Sequence, residues 1–174
     1  MAAAGLNEMI VESVRVHMLS SQHVVILRDA RRERYLPIWI GPWEANAIAM
    51  RLQGVSAERP MTHDLFANTL AELGVTIRQI VVSDLADDTF RARMLLELEG
   101  REMDVDARPS DAIALAVRIG VPIFATDAVL DRAAVVPESE EEEKLAPFRS
   151  FVNSLEFDLP GEEEEGSGER RRLE

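Results

Sequence analysis

The sequence predicts a single compact domain of the α/β (α+β) class: a mixed, largely antiparallel sheet packed by three main helices, with an acidic C-terminal extension. Three observations carry this. Valine- and isoleucine-rich runs of strand length alternate with three helical apolar stripes, each closed by a glycine (Gly54, Gly74, Gly120). The clearest alternating strand meets its successor through the two-residue turn Glu99-Gly100, a mark of an antiparallel hairpin. The 174 residues, 47% hydrophobic and 29% charged, have the length and composition of one globular domain with some chain left over.

Taken in order, Ile10–His17 reads as a weakly alternating, valine-rich strand. His23–Leu27 and Tyr35–Ile40 read as two more, joined through residues 28–34. Pro37 cannot donate to a ladder, so the third strand is expected at an edge or bulged there. Gly41 then stops it, and Pro42 suits the first position of a helix, where a missing N–H costs nothing. Ala45, Ile48, Ala49 and Leu52 make that helix's apolar face. Thr62 is expected to cap a second helix, with Leu65, Phe66, Leu70 and Leu73 as its buried stripe. Val75–Val82 is β-rich, Asp84–Asp88 is a turn, and Phe90–Leu98 pairs with Met103–Ala107. Ser110 is expected to cap a third helix that points Ala112, Leu115, Ala116 and Ile119 inward. Val121–Ala125 is a short strand, and Ala128–Ala134 a helical turn.

This domain is expected over residues 9–137. Residues 138–160 form an acidic linker and a short amphipathic helix with Leu145, Phe148, Val152 and Leu155 on one side. Residues 161–174, too charged to bury much, are expected to be a disordered tail. The net charge is −13, and Glu138–Glu174 supplies −8 of it, with 13 acids against 5 bases. Such a body repels polyphosphate, so it does not coat nucleic acid electrostatically; a nucleic-acid substrate needs a local arginine patch or bridging cations.

Other classes drop out on composition. Without cysteine there is no disulfide, thiolate zinc site or cysteine nucleophile, which fits a reducing cytoplasm. No apolar run has the ~20 residues of a membrane span, and the N-terminus lacks a secretory pattern. No Gly-rich phosphate loop, GxSxG elbow or HExxH stands in the chain. At 5% aromatic residues there is no base-stacking array, and Trp39 and Trp43 read as core or subunit contact.

Chemistry concentrates at two helix starts. Arg59-Pro60-Met61-Thr62-His63-Asp64 and Arg108-Pro109-Ser110-Asp111 both set Arg-Pro, a hydroxyl and an aspartate before a helix. Caps and first-turn carboxylates explain the hydroxyls and aspartates. They leave the repeated Arg-Pro and His63 unexplained. A sharper reading gathers Glu44, His63, Asp64, Asp104, Asp106 and Asp111 into a carboxylate-rich site, since Mg²⁺ and Mn²⁺ prefer oxygen ligands drawn from several elements. Arg59 and Arg108 are phosphate candidates because each adjoins a helix N-terminus; a salt bridge to a nearby aspartate is the competing account. Arg28, Arg31, Arg32 and Arg34 could grip phosphate or decorate a hairpin tip. His17 and His23, on strands, read as structural.

These pieces in order — Leu36–Gly41 with Glu44, Arg59–Leu65, Asp106–Leu115 and Pro122–Phe124 — resemble the bifunctional nuclease domain family over roughly residues 9–136. The resemblance implies a compact, often oligomeric domain and a nuclease acting on RNA and DNA without strong sequence preference. It carries over Glu44, Arg59, Thr62, His63, Asp64, Asp106, Arg108, Ser110 and Asp111. On that reading His63, Asp64, Asp111 and Arg108 are catalytic, and Arg59, Arg108, Thr62 and Ser110 bind substrate. Glu44, Asp64, Asp106 and Asp111 would hold Mg²⁺ or Mn²⁺. The alternative is a non-catalytic oligomeric module in which the Arg-Pro-hydroxyl-Asp elements are internal salt bridges and caps.

Overall fold

The computed structural model describes residues 5–17, 20–136 and 155–156. In chain order the elements are β1 (Leu6–His17), β2 (Gln22–Asp29), β3 (Tyr35–Ile40), α1 (Pro42–Leu52), α2 (Thr62–Glu72) and β4 (Thr76–Ala86). Then come β5 (Thr89–Leu98), β6 (Arg101–Ala107), α3 (Pro109–Ile119), β7 (Ile123–Thr126), α4 (Asp127–Ala133) and β8 (Leu155–Glu156). The strands form one sheet in the order β3-β2-β1-β7-β4-β5-β6, with β8 beside β1. Every pairing is antiparallel except β4 with β7. The α+β class and the mixed, largely antiparallel sheet therefore hold.

Pro37 stands on β3, the edge strand, where its missing donor is tolerated. The weak alternation of β1 has a local cause. Its register with β2 shifts between Val11 and Ser13, so Met9 and Val14, which differ in parity, both reach the core. A second shift between Ile77 and Gln79 does the same in β4 for Ile77 and Ile80. The turn expected at Asp84–Asp88 is shorter than that. β4 runs on to Ala86, and Asp87 and Asp88 turn alone, both at positive φ (48° and 56°), the two-residue geometry that matches strand twist. Glu99 and Gly100 turn in the same way, at φ 51° and 79°.

One face of the sheet carries the main core. Val25, Leu27, Ile80, Val82, Ala92 and Met94 pack against Ala45 and Ile48 of α1 and Ala112, Ile113 and Ala116 of α3. Val24, Ile26 and Tyr35 make a small cluster of their own. Several expected placements differ. On α1, Ala47 is buried while Leu52 is exposed, and Ile119 of α3 is also exposed. The α2 stripe is largely uncovered: Leu65 is 60% and Leu73 66% exposed, Phe66 is exposed, and no residue of α2 is buried. The helical period shows that a face wants cover, not what covers it. Here α2 leans on α3 rather than on the sheet. Trp39 and Trp43 are exposed, so neither is core. Leu155, expected on a helix, lies in β8 opposite His17; the remainder of that helix and the charged tail fall outside the described residues.

Candidate active site at two helix starts

Both helices begin differently from expectation. Met61, not Thr62, is the N-cap of α2, and Arg108, not Ser110, that of α3. Thr62 is exposed inside the first turn, and Ser110 is buried in the first turn of α3 behind Pro109. In α3, proline at the first helical position fixes the start earlier than a hydroxyl would. Asp64 takes over the capping task, its Oδ2 accepting from the Met61 backbone N–H at 2.9 Å.

Glu44, Arg108, Asp111 and His63 form one continuous chain of contacts. Arg108 Nη2 donates to Glu44 Oε1 at 2.7 Å, and its Nε donates to Asp111 Oδ2 at 2.7 Å. The other oxygen of Asp111 lies 3.0 Å from His63 Nε2. An ionised carboxylate only accepts, so Nε2 is the donor to Asp111, and in the neutral tautomer that fits this bond Nδ1 is the acceptor nitrogen. Burial alone would raise the Asp111 pKa, but the hydrogen bonds from Arg108 and His63 outweigh it and hold the carboxyl below its ordinary range. The same carboxylates, Asp111 first and then Glu44, keep Arg108 still more firmly protonated. The imidazole is well enclosed at 14% side-chain exposure, whereas Arg108 at 68% opens to solvent. Gly41 makes room for this arrangement: a Cβ there would overlap Glu44 Oε2.

Asp64 belongs to a different group. Its Oδ1 accepts from Arg118 Nε at 2.7 Å, tying the start of α2 to the end of α3. Burial works to raise its pKa, and the Met61 N–H and Arg118 together bring it below the usual carboxylate value. Arg59 makes no hydrogen bond or ion pair among the described residues and lines a hollow of about 440 Å³ that Asp64 and Arg118 also border. Arg108 lines a separate hollow of about 530 Å³ with Ser110. Asp106 is exposed on β6, opposite Arg93. Alternation sets Ala107, paired with buried Ala92, toward the helices and turns Asp106 away from them. Asp104 shares that outer face and pairs with Arg93 at 2.8 Å.

The expected cation cage is therefore not assembled. Among the described residues no group of three or more His, Asp or Glu side chains could hold a metal ion. Both oxygens of Asp111 and both of Asp64 already serve protein donors. A cation would have to displace two guanidinium groups. The donor set does not fit Mg²⁺ or Mn²⁺. Elsewhere, two of the four hairpin arginines are structural. Arg34 Nε donates to buried Asp29 at 2.6 Å, and Arg28 pairs with Glu12 at 2.9 Å. Arg118 and Gly41 were not legible as site-forming. An arginine in a last helical turn reads as a dipole partner, and a glycine before a proline reads as a stop.

An α+β sheet with these two helix starts, one offering a histidine and the other its aspartate and arginine, defines a class of domain rather than a single activity. A family model described as the bifunctional nuclease domain matches residues 25–138, and the chain belongs to that family. It is 40% identical over 162 residues to an uncharacterized protein of Mycobacterium tuberculosis, covering 88% of this chain and 97% of that one. It is 22% identical over 148 residues to Bifunctional nuclease 1 of Oryza sativa subsp. japonica, covering 83% of this chain and 43% of the rice protein. No described helix is long and apolar enough to cross a membrane.

Proposed function

We propose that the chain is a nuclease that hydrolyses phosphodiester bonds of RNA and DNA by general acid–base chemistry at His63, without strong sequence preference. The observation that carries this is the His63–Asp111–Arg108 chain, in which one carboxylate fixes both a base and a cation. Asp111 holds His63 in the tautomer whose Nδ1 can take a proton from water as its oxygen bonds to phosphorus, and the imidazolium so formed returns a proton to the strand oxygen released as its P–O bond breaks. The Arg108 guanidinium, solvent-facing and permanently charged, stabilises the charge that builds on the phosphoryl oxygens. Glu44 holds Arg108 from the other side. Asp64 supports the site indirectly by pinning the first turn of α2, which carries His63. Arg59, one hollow away, steers the strand rather than touching the scissile phosphate. Family membership and the rice relative's name support the substrate class.

The test is hydrolysis of single- and double-stranded RNA and DNA by the purified chain and its His63→Ala variant, each with EDTA and with Mn²⁺. Loss of activity in His63→Ala, with activity retained in EDTA, is expected. Wild-type activity in His63→Ala would assign the hydrolysis to a contaminant. Restoration by Mn²⁺ alone, together with a Mn²⁺-dependent rise in melting temperature, would return the site to the Glu44, Asp64, Asp106 and Asp111 cation reading. We further propose a cytoplasmic homo-oligomer in which a second copy covers Leu65, Phe66 and Leu73, exposed here on one helix. Leu65→Glu should then lower the mass measured by light scattering.

A further inference from the structure

The hollow beside Arg108 is larger than phosphate binding requires and has different chemistry. It lies where four chain segments meet: the β1–β2 turn with the start of β2, the end of β3 running into α1, the β4–β5 turn, and the start of α3. Its volume of about 530 Å³ suits a small organic ligand. Trp39, Ile40, Phe90 and Pro109 give it flat, apolar walls. Arg108 is the single cation in its lining and already faces two carboxylates, while Asp88 adds an anion. Such a lining rejects a second phosphate and favours an uncharged, planar occupant.

Two polar groups in the wall lack bonds of their own. Ser110 is 6% exposed, and its hydroxyl makes no hydrogen bond among the described residues. Nδ1 of His23 is buried and likewise without one. Buried polar groups normally find partners, so His23 Nδ1 calls for one, while the Ser110 hydroxyl, still reached from the hollow, is free to bond an occupant. Gln22 and Asp88 add further donor and acceptor capacity at the rim. Flat walls, mixed donors and acceptors, and one cation at the mouth together describe a nucleotide.

We propose that this hollow is a nucleobase pocket: it seats one base of the strand against Phe90 while Arg108 holds the adjoining phosphate at His63. The proposal rests on the nuclease reading and adds a substrate contact to it. Stacking on an aromatic face accepts every base, which suits an enzyme of broad sequence tolerance.

The test uses the full chain in two assays. In the first, tryptophan fluorescence follows titration with AMP, CMP, ribose 5-phosphate and inorganic phosphate. Nucleotides are expected to bind about ten-fold or more tighter than ribose 5-phosphate, the scale of one base–aromatic stack. Phe90→Leu, which keeps apolar volume, should remove that difference, and Phe90→Tyr should restore it. In the second, hydrolysis of a DNA oligomer is compared with that of a series carrying abasic sites, where KM should rise about ten-fold with kcat little changed. Equal binding of nucleotide and ribose 5-phosphate, or equal KM for intact and abasic strands, overturns the pocket while leaving the nuclease standing. Discriminating nucleotide binding without hydrolysis of any strand supports the pocket and defeats the nuclease reading instead.

Discussion

Replacing Asp111 by asparagine separates chemistry from scaffolding more cleanly than any other single change. The carboxylate gives Oδ1 to His63 and Oδ2 to Arg108 at 3.0 and 2.7 Å. An amide of the same shape has one acceptor oxygen; its nitrogen only donates. Asparagine can therefore satisfy the imidazole or the guanidinium but not both, and the other faces a donor. The cost in stability is small, because Arg108 is 68% exposed and a solvent-facing pair contributes ~0–1 kcal/mol. Loss of a first-turn charge adds ~0.3–1 kcal/mol. Together these ~0.3–2 kcal/mol give a fall in melting temperature of about 1–6 °C, at ~3 °C per kcal/mol. The effect on chemistry is far larger: a base with the wrong tautomer, or a displaced arginine, forfeits roughly 10²–10⁴-fold in rate. The assay is kcat/KM on single-stranded RNA and DNA beside a thermal melt of the same preparation. A kcat/KM within about three-fold of wild type, less than ~1 kcal/mol of transition-state stabilisation, would refute the role given to the dyad. A collapse in melting temperature with activity per folded molecule intact would make Asp111 a structural cap.

Gly41→Ala adds a methyl where Glu44 Oε2 now sits, at an ordinary φ of −73°, so the flexible carboxylate moves and releases Arg108. Activity should fall about ten-fold, or ~1.4 kcal/mol of transition-state stabilisation, while the melt shifts little; unchanged activity would remove Glu44 from the site. Asp64→Ala strands a guanidinium that is 8% exposed, whereas Arg118→Met leaves a carboxylate that is 37% exposed and readily hydrated. Urea unfolding should show a loss of about 3 kcal/mol for the first and about 1 kcal/mol for the second, and the reverse order would overturn the account. Asp29, Asp64 and Asp111 all have lowered pKa values, so their pairs contribute fully above the unfolded carboxyl value near ~4 and are lost as pH falls through the folded values below it. Melting temperature should stay level from pH 7 to about 5 and drop below about 4, and Asp29→Asn should flatten that drop.

Much of the fold was legible because its signals are local. Pro37 marked an edge, Glu99-Gly100 a hairpin, and the α3 stripe of Ala112, Leu115 and Ala116 a buried helix. What stayed hidden was set by contacts across the chain. The register shifts in β1 and β4 invert alternation at one residue, and no residue there announces it. The stripe on α2 has sound helical spacing yet lies uncovered in the single chain, since amphipathicity fixes which side is apolar but not its occupant.

For the candidate site, the sequence drew attention to the two helix starts but not to how their charges would divide. Arg-Pro-hydroxyl-Asp at both starts suggested two equivalent half-sites converging on a cation. Their partners make them unequal. Asp111 looks back to its own Arg108 three positions earlier and across to His63, 48 residues away. Asp64 instead reaches Arg118, at the far end of α3. Once each aspartate has a guanidinium, the charge that a metal would have answered is already neutralised. The trio Glu44–Arg108–Asp111 is itself net negative by one, so what faces a polyanion is the solvent-open edge of the Arg108 guanidinium and, one hollow away, Arg59. In a chain of net charge −13 the acids that repel nucleic acid at long range hold Arg108 in place at short range. Attraction confined to so few cations implies a shallow dependence of strand binding on salt, with a log–log slope near about −1 to −2. A slope steeper than about −4 would mean that further arginines, Arg59 among them, grip the strand directly.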